Sequence, residues 1–592
     1  MILNKKYSTA LLILLAVQTM FSQKKDENIG TEVVNVVKPY TPTISDAFKL
    51  KENPKMDDED NEKKEEIKYN IFSFPVASTF TPSKGRAAGV ETKKSEHLFN
   101  HFATLGLGNC GTILGELYVT QPVGDNSYVS GMLKHLSSEG GVKNIFLDDD
   151  YNDSSIDLTY GYNVQNLTWK VDAGYQNQSY NWYGLPKEFS ASLSPEAVGS
   201  IIGSINPEHT YHNVSVGSVV ELDESILNRV EVKYNRFWDS YNSEENRIIL
   251  KPKVSFDFND LQIQTNFVVD YVGGSFKKPH YDFTPAKYGF ANFGINPSFS
   301  LVKNDWSFNI GASAFYSMDL ENDKSSFYIY PNVTASIDVV GDLMVFYAGA
   351  EGGLQQNSYR EFTNINPYMS PEFGVAPTDK QYDFFAGLKG KLASSVGYNI
   401  RASYINERNK AFFKSNDYNE EAILPSYAFG NSFGIEYGDL RTISFYGEVK
   451  ADFSDKISVG INGSFSDYGV SDVAEAWNMP AIKLGANFEV AFTDKISAGA
   501  DLFFTGERKD FQQFSSIIGD SEVRTLESYF DANVHVNYKF NDRLNFFLRG
   551  NNLANNSFYY VMDPLFLPIL LFPREAIPQG MLILMIVKMI VG

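Results

Sequence analysis

The sequence predicts an all-β fold: a large transmembrane antiparallel β-barrel of about 22 strands, preceded by a short, mostly extended N-terminal segment. Three observations lead there. Strand-length segments alternate apolar and polar residues over roughly five hundred residues, which gives each strand one oily and one wet wall. The connections between them alternate between tight polar turns and long loops. The composition is rich in aromatics (15%) and glycine (44 residues), as aromatic girdles at two membrane interfaces require.

The clearest strand is 529–540, YFDANVHVNYKF. Phe530, Ala532, Val534, Val536, Tyr538 and Phe540 share one face, and Asp531, Asn533, His535, Asn537 and Lys539 share the other. The same rhythm runs through 229–235, 261–271, 305–317, 443–453, 457–466 and 496–505. Short connections near 259, 304, 455, 494 and 542 suit a periplasmic side. Long ones near 186–209, 273–288, 357–380, 407–431 and 506–526 suit an extracellular side. Both series keep their parity, so the strand number should be even.

Other classes are excluded by composition. No run of about 18 apolar residues exists to make a spanning helix. A net charge of −21 argues against nucleic acid as a partner. The single cysteine, Cys110, permits no intrachain disulfide and reads as a turn residue in GNCG.

Residues 1–22 read as a signal peptide, with Lys5 and Lys6 before the short apolar core Ala10–Val17, so export to the outer membrane of a Gram-negative cell is expected. Residues 23–96 read as an extended or disordered segment, periplasmic or lumen-occluding. It carries the charged run KENPKMDDEDNEKKEEIK, which cannot bury enough apolar surface to offset chain entropy. Within it, YNIFSFPVASTF (69–80) is apolar enough to dock at the periplasmic mouth or in the lumen. The barrel itself is expected over 97–563. The tail 564–592, with Pro564, Pro568, Pro573 and Pro578 and then an apolar run, does not alternate; it reads as a short helix, as a plug of hydrophobic tail or, the reading we prefer, as the product of an altered reading frame.

Parity assigns an inward, lumen-facing set: Glu231, Lys233, Lys251, Lys253, Asp257, Asp270, Glu448, Lys450, Asp452, Asp501, Asp531, His535, Lys539, Arg543 and Arg549. Both signs are interspersed, so the wall reads as a hydrated, ion-paired lumen or as a selectivity surface for a polar solute. No catalytic constellation, phosphate loop or metal motif is found, and neither enzymatic activity nor a cofactor is expected. His209 and His212, like His97 and His101, lack a third ligand at metal-site spacing and read as loop or rim residues. Trp182, Tyr183, Trp238 and Trp306 read as interfacial anchors.

The segment NDRLNFFLRGNNLANNSFYY (541–560) resembles the C-terminal end of TonB-dependent receptors, through Asn551, Asn552, Leu553, Asn555 and Tyr559; the preceding ESYFDANVHVNYKF resembles that family's neighbouring strand. The resemblance covers about sixty residues and implies a 22-stranded barrel that takes up solute with the help of an energy-coupling partner. The family also implies a plug of well over a hundred residues. About seventy residues precede the barrel here, and none of the plug's motifs appears. EVVNVV (Glu32, Val33, Val34, Asn35, Val36 and Val37) resembles the segment such receptors offer to their periplasmic partner; the alternative is an ordinary linker. The expected function is solute transport across the outer membrane. The alternatives are a passive channel, or a plug-less barrel acting as scaffold or partner subunit in an outer-membrane complex. Membrane lipid is the one certain neighbour of such a wall.

Overall fold

Alternating sequence becomes alternating exposure. In the segment Tyr529–Lys539, Phe530, Val534, Val536 and Tyr538 are exposed while Asp531 and Asn533 are buried. A water-soluble sheet would bury the first set; here the apolar wall is outermost, as contact with lipid requires.

The computed structural model describes residues 100–142, 145–185, 194–259, 261–277, 286–417, 425–513, 521–554, 581–584 and 588–589. The signal peptide, the 23–96 segment with YNIFSFPVASTF and Glu32–Val37, and most of the 564–592 tail lie outside the described residues. The strands begin with β1 (His101–Gly108), β2 (Ile113–Pro122), β3 (Ser127–Ser138), β4 (Tyr151–Val164) and β5 (Leu167–Asn181). Helix α1 (Pro195–Ile202) precedes β6 (Glu208–Leu222), β7 (Leu227–Asp239), β8 (Glu244–Phe258), β9 (Leu261–Phe276) and β10 (Ala286–Lys303). Then come β11 (Trp306–Asp319), β12 (Lys324–Val340), β13 (Met344–Gln355), helix α2 (Tyr359–Ile365), β14 (Thr378–Ala393) and β15 (Val396–Ser415). The series continues with β16 (Phe433–Ser454), β17 (Ile457–Ser471), β18 (Ile482–Ala491) and β19 (Ile496–Thr505). It ends with β20 (Arg508–Gln513), β21 (Ser521–Leu526), β22 (Tyr529–Lys539), β23 (Leu544–Asn551), β24 (Met581–Leu584) and β25 (Lys588–Met589).

Each strand from β1 to β18 pairs antiparallel with the next, β19 pairs with β22, and β22 with β23. β20 and β21 form a separate hairpin inside the β19–β22 connection. The strands named from sequence lie within β7, β9, β11, β16, β17, β19 and β22. β1 and β23 do not pair with each other. Among the described residues, β24 and β25 stand between them, each paired for a few residues to both neighbours. A full-length closing strand is not among the described residues.

The turns obey local chemistry. Asn259 and Asn304 sit in the two-residue turns after β8 and β10 with φ of 47° and 54°, a left-handed conformation that asparagine tolerates. Cys110 has φ 54° in the turn after β1. Turns on that side and the opposite one alternate strictly, but three connections on the loop side (109–112, 240–243 and 320–323) are themselves short. The side of a connection follows from strand parity, whereas its length does not. No helix among the described residues is long and apolar enough to cross a membrane.

Candidate functional site: an inward-folded loop on a polar wall

The wall comes first. Val232 on β7, Ile248 and Phe256 on β8, Phe267 on β9 and Phe445 and Val449 on β16 are all exposed and define the outer face. Glu231, Lys233, Lys251, Lys253, Asp257, Asp270, Glu448, Lys450 and Asp452 alternate with them and therefore lie on the other face. Asp501, Asp531, His535 and Lys539 occupy the same face of β19 and β22, and Arg549 stands directly opposite His535. Arg543 does not join them: it lies in the turn 540–543, because β22 ends at Lys539 and β23 starts at Leu544. Strand alternation was extended there past the strand's end.

Some of the predicted wall is tied up in pairs. Arg247 grips Asp270 with a two-pronged fork (2.9 and 2.8 Å), Lys450 pairs with Glu448 at 2.8 Å, and His535 meets Glu489 at 3.2 Å. Lys539 pairs with Asp542 at 2.8 Å.

On the loop side, the described parts of the 182–207, 356–377 and 416–432 connections pack onto this inner face around Tyr211 and Phe237. The 356–377 connection between β13 and β14 goes furthest. Ser358 caps α2, its Oγ accepting from the Glu361 N–H at 3.1 Å, and Tyr359, Phe362 and Thr363 are buried. The helix is then fastened to strands well removed from its own. Tyr359 donates from its hydroxyl to Asp239 of β7 at 2.7 Å, and its backbone N–H donates to Glu245 of β8 at 2.6 Å. Arg247 of β8 donates to Glu361 at 2.7 Å, and Asn292 of β10 to the Gln356 side chain at 2.6 Å. Tyr211 of β6 donates to the Pro367 carbonyl at 2.7 Å. Burial first, then the charge of Asp239, pushes the Tyr359 phenol well above its ordinary pKa, so the ring acts as a neutral donor to a carboxylate.

Around these polar fasteners lies an aromatic cluster. The Tyr359 ring meets Phe237 and Phe276 edge-on, each at 5.1 Å between centroids, and Phe373 at 5.5 Å. Trp182, with only 1% of its surface exposed, and Tyr183 belong to this cluster. The reading of these two as interfacial anchors is therefore corrected: their loop turns inward, so they pack against protein and not lipid. Trp306 is exposed at the start of β11, stacked on Phe308. His209 is buried, bonded to Asp239 at 3.1 Å; His212, three residues on, has the opposite parity and stacks on Trp238. A strand points these two histidines to opposite faces, which rules out a shared metal. No cluster of metal-ligating side chains occurs among the described residues.

Sequence reasoning did not reach Asp239, Glu245, Arg247, Tyr359 and Glu361. Their partners lie more than a hundred residues away, Tyr359 from Asp239 by 120 and Glu361 from Arg247 by 114. Periodicity carries no signal at that range. A cue was present in the density of aromatic and capping residues in SYREFTNINPYMS, unusual for a solvated loop.

No protein-family model matches the chain, and no curated protein matches it. Solved structures do. The chain is similar to the ferric-catecholate import receptor Fiu of E. coli K12, in its closed form, at TM-score 0.58 and 12% identity, covering 83% of this chain and 81% of that one. It is similar to the pyoverdine outer-membrane receptor FpvA of Pseudomonas aeruginosa PAO1 at TM-score 0.57 and 14% identity, covering 84% and 79%. The copper transporter OprC matches at TM-score 0.56 and 12% identity, covering 83% and 80%. At such identities the likeness is one of fold alone, that of a large antiparallel outer-membrane-type β-barrel.

Proposed function

We propose that this chain is an outer-membrane barrel that carries solute across the outer membrane, acting as a transporter and not an enzyme, with its mouth occluded by its own 356–377 connection. One observation carries the reading: α2 and its flanks are fastened by at least five hydrogen bonds to the inner wall of β6, β7, β8 and β10. A loop that only decorated the surface would not bury Gln356, Asn357, Ser358 and Tyr359 almost completely. The fold's similarity to an import receptor and a copper transporter supports the direction of the proposal. Coupling to an energised periplasmic partner would use Glu32–Val37, through the resemblance of EVVNVV to the segment TonB-dependent receptors offer to such a partner; otherwise that segment is an ordinary linker.

Planar-bilayer conductance tests the proposal. The full chain should conduct little, and Arg247→Ala combined with Tyr359→Ala, which unfastens α2, should open large, long-lived channels. If conductance rises only when residues 24–96 are deleted, occlusion belongs to that segment. A barrel that stays closed under both changes and co-purifies with a second outer-membrane protein is a scaffold, and the transport reading falls.

A further inference from the structure

Charges on the inner wall are not uniformly paired, and the unpaired ones are grouped. On β7 and β8 the register sets Glu231 opposite Lys251, and Lys233 opposite Ile249. Lys251 and Lys253 share a face at two-residue spacing, and Lys233 is the diagonal neighbour of Lys251. The three lysines thus leave the wall from points about 7 Å apart. None of the three makes an ion pair among the described residues.

The carboxylates around them are otherwise occupied. Glu231 is held by Arg229 at 3.2 Å, and Asp270 by the Arg247 fork at 2.8 Å. Asp257 lies four residues past Lys253, at the turn end of β8. On the neighbouring strand β9 the acid beside this row is Asp270, opposite Ile249 and already held by Arg247, while Asn266 stands directly opposite Lys253 with Gln264 and Gln262 beyond it on the same face. Lysine ammoniums beside neutral amides suit a small oxyanion, since the lysines supply charge and the amides supply hydrogen-bond donors.

We infer that Lys233, Lys251 and Lys253 form a lumen-wall binding track for a small phosphate- or carboxylate-bearing solute. This rests on the transport reading and names its substrate class. Ordinary solvated lysines would show no preference among solutes beyond screening by salt; a track binds a multivalent oxyanion better than chloride.

The probe is inorganic phosphate, titrated into the detergent-solubilised full chain at low ionic strength by equilibrium dialysis with radiolabel. Wild type should bind phosphate in preference to chloride. The triple variant Lys233→Gln, Lys251→Gln, Lys253→Gln should lose at least about tenfold in affinity, as removal of several weak solvated charge contacts implies. The triple Lys→Arg variant should retain binding, and heat-modifiable gel mobility should show that both variants are folded. Undiminished binding in the Gln variant overturns the track, as does absence of binding in wild type. If the unfastened α2 variant conducts while phosphate fails to bind, only the track falls; if it does not conduct either, the transport reading falls with it.

Discussion

At the scale of single residues, Arg247 decides whether the inner loop stays where it is. Its guanidinium satisfies Asp270, Glu361 and the Gln356 carbonyl together, with only 11% of its side chain exposed. Arg247→Ala leaves Asp270 buried without a cation, a loss of about 3 kcal/mol in similarly buried pairs. Tyr359→Phe is a finer probe: it keeps the ring in the aromatic cluster and removes one hydrogen bond to a carboxylate, worth about 1.5–3 kcal/mol. Hydrogen exchange across 356–377 should therefore accelerate in both variants, more in Arg247→Ala. Equal, unchanged protection would mean the loop is held by its aromatic packing alone.

At the scale of elements, the β20–β21 hairpin shows how a second loop docks. Asp510, buried in β20, accepts from the Ser415 N–H at 3.1 Å and from the Ser415 hydroxyl at 2.6 Å. Burial is the larger influence and raises the Asp510 pKa in spite of these bonds. A carboxyl whose pKa is higher when docked than when free binds its proton more readily in the docked state. Docking is then stronger below the free value, near 3.8, and weakens as pH rises through the docked value. Exchange protection in 508–513 should be greater at mildly acidic than at neutral pH, and Asp510→Asn should abolish that difference. A pH-independent hairpin in the wild type would show that the buried charge is not felt.

At the scale of the molecule, the outer belt and the inner wall obey opposite rules. Phe445 is exposed on β16 amid Ile443 and Val449, whereas Asn462 lies on the inner face of β17, directly opposite Glu448. Phe445→Lys should cost up to about 2–4 kcal/mol of membrane stability, the penalty for a lysine at a bilayer midplane. Asn462→Lys should be close to neutral. Heat-modifiable mobility of the barrel in membranes distinguishes them; equal tolerance would mean that the apolar face does not meet lipid.

How much of this was readable beforehand depends on the range of the interaction. Val534, Val536, Asn533 and His535 declare their faces by parity alone, because neighbouring side chains on a strand must point apart. Asn259 and Asn304 declare their turns by backbone preference. So the chain itself determined the strands and the alternation of their faces. It did not determine that Trp182 turns into the barrel, that Arg543 falls in a turn, or that Tyr359 reaches Asp239 across 120 residues. Those outcomes come from which loops meet once the sheet has curled, and that is decided by packing and buried polar pairing among distant segments, with no local periodicity to announce it.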